Sequence, residues 1–73
     1  MITVLIFLHN GTRSGALMTI NEKDIFLTKS FSVEPVENLG QTFETLHKDN
    51  YTIFKSVVVN DYSGLKPLKE KYL

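Results

Sequence analysis

From Thr3 to Leu8 the chain reads T-V-L-I-F-L, apolar at every position after the first. As a strand, it sends Val4, Ile6 and Leu8 to one side and Thr3, Leu5 and Phe7 to the other. A strand that is apolar on both sides belongs in the middle of a sheet, because neither side is suited to water. The run is far shorter than a membrane span, and no basic residue precedes it, so it reads as a buried strand rather than a signal peptide or anchor. The expected location is cytoplasmic.

The rest of the chain can be arranged around this strand. Asn10-Gly11 is a turn dipeptide whose residues tolerate positive φ, and a polar loop with Arg13 at its tip leads into a second strand, Ala16 to Ile20. After the turn at Asn21 to Asp24, the segment Ile25 to Val33 alternates. Ile25, Leu27, Phe31 and Val33 share one face, Thr28, Ser30 and Ser32 the other, and Lys29 marks an edge. Pro35 breaks the pattern. Leu39, Phe43 and Leu46, with Val36 behind them, recur at helical spacing. The helix starts either with Pro35 in its first turn or with Asn38 as cap and Gln41 as reciprocal partner. Glu44 and Lys48 form an i,i+4 pair, and Asn50 suits a left-handed terminator. Gly40 costs about 1 kcal/mol inside a helix, and close approach to the sheet would explain it. Tyr51 to Val59 is a late strand and Asn60 to Gly64 a turn.

These elements predict an α+β fold. Three or four mainly antiparallel strands, in the order βββαβ, carry one helix on one face. Residues 1–64 form the compact domain, and residues 65–73 a tail or a short helical turn with Leu65, Leu68 and Tyr72 on one side. The helix stripe should cover Val4, Ile6, Leu27 and Val57, and Phe43→Ala should cost about 3–5 kcal/mol.

Composition narrows the function. With 73 residues the chain makes one small domain, and such a domain buries only about 60% of its unfolded surface. There is no cysteine, hence neither a disulfide framework nor a thiolate metal site. Eight basic and eight acidic residues balance, which does not suit a basic nucleic-acid binder. His9 and His47 lie far apart with no metal-ligand spacing, so neither is expected to bind metal. A strand ending in His9-Asn10-Gly11 is similar to an oxyanion-hole motif of lipase-like hydrolases, but no Gly-x-Ser-x-Gly accompanies it; a hairpin is the expected reading. The Asn10 to Gly15 loop could hold an anion on backbone amides beside Arg13, but it feeds a strand rather than a helix, and a solvated tip is expected. Most of the aromatic residues are needed to fill a small core; Phe26 and Phe54 could be exposed on alternate faces, but their strands carry only Lys23, Lys29 and Lys55, too few basic residues for an RNA-binding sheet.

Charge is placed unevenly. Ser30 to Glu44 contains Glu34, Glu37 and Glu44 and no basic residue, whereas the last nine residues carry Lys66, Lys69 and Lys71 against Glu70. The expected function is therefore a non-enzymatic protein-interaction module, with no cofactor and a protein partner. Its contact surface would include Arg13, Lys66, Lys69, Lys71 and Tyr72. The alternatives are a small nucleic-acid-binding domain, or a homodimer pairing through an edge strand such as Ala16 to Ile20.

"TRSGALMTI", "FSVEP" and "TFETLHKDNYTIFKSVV" together resemble the small N-terminal domain of Mu-like prophage (FluMu-type) proteins. The matching pieces are Arg13 to Gly15, Phe31 to Pro35, and Leu46, Asp49 and Tyr51 onward, within Val4 to Val59. The strand before the helix is longer than in that family, and no helical DNA-binding-like domain follows Val59. The resemblance implies a phage morphogenesis, accessory or host-interacting protein without catalytic residues.

Overall fold

The computed structural model describes the whole chain, Met1–Leu73. Four strands, β1 (Ile2–His9), β2 (Gly15–Asn21), β3 (Asp24–Lys29) and β4 (Ser32–Pro35), form a meander. Helix α1 (Leu39–Lys48) and strand β5 (Tyr51–Val59) follow, then a 3₁₀ turn (Tyr62–Gly64) and helix α2 (Leu65–Tyr72). Every pairing is antiparallel and the sheet order is β4-β3-β2-β1-β5. Helix α1 thus carries the chain from the β4 edge to the opposite edge, where β5 joins β1.

The α+β class is as expected, but the sheet has five strands rather than three or four, and there are two helices rather than one. The extra strand arises because Ile25 to Val33 folds back on itself. Ser30 and Phe31 make a two-residue turn closed by the Lys29–Ser32 pair. That turn moves Phe31 from its expected apolar face to a fully exposed tip, and leaves Val33 exposed on the edge strand β4.

The second helix follows from β1 being apolar on both sides. Ile2, Val4 and Ile6 lie on one face with Leu17 of β2, and Leu65 of α2 closes over them, with Leu68 and Tyr72 packed alongside. On the other face Phe7, Ala16, Met18 and Leu27 meet Leu46 of α1, with Phe43 and Val36 beside them. The expectation for α1 is therefore corrected: it covers Leu27 but not Val4, Ile6 or Val57, which face α2. One ten-residue helix cannot reach both sides of a sheet. The last residues are likewise two turns of helix whose first leucine belongs to the core, longer than the short turn expected. Pro67 falls in the first turn of α2, where its missing N–H has no intrahelical partner to lose.

The Asn38 and Asn50 caps of α1 form as the residue types suggest, but Gln41 does not return a side-chain bond to the Asn38 N–H, so the reciprocal half of the expected cap is not made. Asn38 Oδ1 accepts from the Gln41 N–H at 3.0 Å, which settles the helix start in favour of Asn38. At the other end Asn50 takes φ 66° and donates its N–H to the His47 carbonyl. Glu44 and Lys48 pair at 3.6 Å on the exposed side. Gly40 does not touch the sheet: a Cβ there would meet only Asn38 Oδ1 at 3.7 Å, so close approach is not its explanation. Close approach occurs at Gly15 instead, where a Cβ would lie 2.3 Å from the Tyr72 carbonyl oxygen at the end of α2.

Candidate functional site

The His9 end of the sheet gathers most of the residues that the sequence singles out. The turn from β1 to β2 is built by His9 itself. Its Nδ1 accepts from the N–H groups of Gly11 (3.0 Å) and Thr12 (3.1 Å), and its backbone carbonyl accepts from Arg13 N–H (3.0 Å). Ser14 N–H donates to Thr12 Oγ1. The amides from Gly11 to Ser14 are thus consumed within the loop and that of Asn10 by the Asn50 carbonyl, so no nest of free N–H groups remains to hold an anion. The segment is a hairpin, and His9 is its internal acceptor. Neither Asn10 nor Gly11 takes the positive φ that their types tolerate; Arg13 does, at 65°.

His47 is exposed on α1. It lines a cleft with Phe43, Tyr51 and Ile53. No group of three metal-ligating side chains exists in the molecule. Lys29 ends β3 half-buried, one strand in from the edge, with its Nζ 5.3 Å from the centre of the Tyr51 ring.

Three of the five proposed contact residues come together. Arg13 lines a shallow cleft of about 280 Å³ with Leu8, Thr52 and Phe54. The Phe54 ring lies 6.1 Å from that of Tyr72, and Lys71 Nζ sits 5.4 Å from the Tyr72 ring centre. Lys69 is on the other flank of α2, beside Phe31 and Val33, and Lys66 is exposed in the first turn of α2. Tyr72 is half-buried against the core rather than free on a tail.

Sequence reading left out of the contact surface the residue at the centre of this group, Phe54, noted only as an aromatic that could be exposed, and its neighbour Lys55, whose Nζ lies 5.7 Å from the Phe54 ring centre. A bulge puts them there. Ile6 pairs with Lys55 but Phe7 pairs with Ile53, so Phe54 is an extra residue in β5. Consequently Lys55, Val57 and Val59 share the α2 face, whereas Ile53 and Tyr51 turn to the α1 face. The adjacent apolar pair Ile53-Phe54 is the sequence signal for such a break in alternation.

Strand β5 is also an open edge. His9 directs its N–H and its C=O at β2, so the even residues Ile2, Val4 and Ile6 address β5 at Val59, Val57 and Lys55. By the alternation of an antiparallel ladder, the N–H and C=O groups of Ser56 and Val58 point away from the sheet, where no strand follows. Ile53, Phe54 and Val58 are each more than half exposed along this edge. The opposite edge, β4, is four residues long, ends in Pro35 and carries Glu34. The strand Ala16 to Ile20, expected as a pairing edge, lies inside β2 with β1 on one side and β3 on the other, so it offers no edge to a second copy.

No helix is long and apolar enough to cross a membrane. No family model matches this chain, and neither a curated protein nor a solved structure matches it.

Proposed function

We propose that this chain is a non-enzymatic protein-interaction module that receives an extended segment of its partner as an added strand on β5. The observation that carries the reading is the free outer edge at Ser56 and Val58, bordered by the exposed side chains of Ile53, Phe54 and Val58. Strand addition satisfies the outward backbone groups of the edge and gives the exposed side chains an apolar partner. Arg13, Lys71 and Tyr72 lie against the same edge through Phe54, whereas Lys69 sits on the far flank of α2 beside Phe31 and Val33 and Lys66 in its first turn, outside this group. A phage or mobile-element role rests on the resemblance described above, carried by Arg13 to Gly15 and by Leu46, Asp49 and Tyr51.

The test is affinity capture from the native host with the intact chain and with Ser56→Pro. Proline removes an N–H that faces solvent and fills the space where a partner strand would lie, so the fold is retained on an edge strand. A protein recovered by the intact chain and lost with Ser56→Pro is the expected result. Equal recovery by both removes the β5 edge from the binding surface.

A further inference from the structure

The charge around the edge identifies what kind of strand it receives. Arg13, Lys55 and Lys71 surround the Phe54–Tyr72 ring pair, and none of them has a carboxylate within ion-pair distance; the molecule's one ion pair is Glu44–Lys48. Glu70 precedes Lys71 on α2, but no ion pair joins it to any of the three. Arg13 holds a left-handed backbone conformation, φ 65°, at a conformational cost that glycine would not incur. Phe54 is 54% exposed, so about half of its surface is open to an apolar contact among the cations.

Resting on the strand-addition reading, we infer that the partner segment is an extended acidic peptide. Its carboxylates would meet Arg13, Lys55 and Lys71 and flank an aliphatic or aromatic side chain seated on Phe54. Opposite charges meeting across adjacent strands stabilise the pairing, and like charges oppose it. The same rule argues against a second copy of this chain. Two β5 strands paired about a two-fold axis at Ser56 would bring Lys55 close to its twin, and the Phe54 bulge would cut short both ladders there. Nucleic acid fits less well, because the exposed backbone groups of Ser56 and Val58 offer a ladder only to another peptide.

The experiment is selection of a library of random short peptides on the intact chain, counter-selected on Ser56→Pro, with binding of an oligothymidylate measured in parallel. Selected peptides should be rich in Asp and Glu alternating with apolar residues, and their affinity should fall as salt rises. Lys55→Glu with Lys71→Glu should weaken them by about tenfold or more. Arg13→Gly should weaken them while raising the melting temperature, which separates lost contact from lost fold. Selected peptides with no acidic bias, or unaffected by these substitutions, overturn the charge assignment and leave strand addition standing. No enrichment over the Ser56→Pro control overturns strand addition itself. Oligothymidylate binding tighter than any selected peptide replaces the peptide with a nucleic acid.

Discussion

At the scale of single residues, His9 is the clearest case of a group that resembles chemistry and performs structure. Its Nδ1 takes the two amides that an Asn or Asp side chain commonly takes at a turn. His9→Ala should therefore cost about 1 kcal/mol, as loss of a cap does, and His9→Asn should recover most of it; chemical denaturation of the three proteins checks both. Asp61 plays a similar part at the 3₁₀ turn. The Ser63 hydroxyl donates to its carboxylate, and this bond above all, helped by backbone N–H groups, holds its pKa below the ordinary carboxylate value against the opposing effect of desolvation. A carboxyl depressed in the folded state contributes stability that is complete above its unfolded pKa and is lost as pH falls through the folded value. Asp61→Asn should thus remove part of the acid sensitivity of unfolding below the normal carboxylate range and leave the neutral-pH dependence unaltered, as read from melting curves across pH. The residue types at these turns were legible as turn chemistry, but which atom accepted which amide was not, because that depends on the loop's closed path.

At the scale of elements, α1 was nearly complete in the sequence. Its Asn38 cap, the Glu44–Lys48 pair and the Asn50 stop are all local, set by residues within one turn of each other. The face it covers was not legible, since β1 offers two apolar faces and helical spacing cannot choose between them. As a result, the largest loss on truncation within α1 belongs to Leu46, which is 2% exposed, rather than to the half-buried Phe43. Leu46→Ala should cost about 2–5 kcal/mol, and Phe43→Ala less, in equilibrium unfolding. Helix α2 depends on a contact of backbone with backbone at Gly15. Gly15→Ala should displace the end of α2 and destabilise the protein by about 1–3 kcal/mol, seen as a lower melting temperature and altered Tyr72 resonances. On β5, plain alternation puts Tyr51 and Ile53 on the same face as Val57; the bulge at Phe54 reverses them. Val57→Pro should lose a ladder bond to β1 and destabilise the fold, where Ser56→Pro does not.

At the scale of the molecule, the sheet is enclosed between two helices, and neither cover is optional. Without α2, the side chains of Ile2, Val4, Ile6 and Leu17 lose their cover. Burial of such side chains is worth about 1.5–3 kcal/mol each, and a domain of this size holds only several kcal/mol in all. A chain ending at Gly64 should therefore fail to fold cooperatively, which loss of a sigmoidal denaturation curve would report. Light scattering should give the mass of a single chain, because Lys55 and the bulge guard the one long open edge against its own copy. Sequence alone determined the α+β class, the interior place of β1, the Asn50 stop of α1 and the hairpin at His9, all of which follow from local patterns of polarity and turn chemistry, and it narrowed the start of α1 to Pro35 or Asn38. Tertiary structure alone decided that the C-terminal segment is core, that Ala16 to Ile20 is interior, and that Phe54, Lys55, Lys71, Tyr72 and Arg13 share one edge. Those outcomes depend on which strand ends beside which, and the pairing of residues far apart along the chain leaves no periodic trace in it.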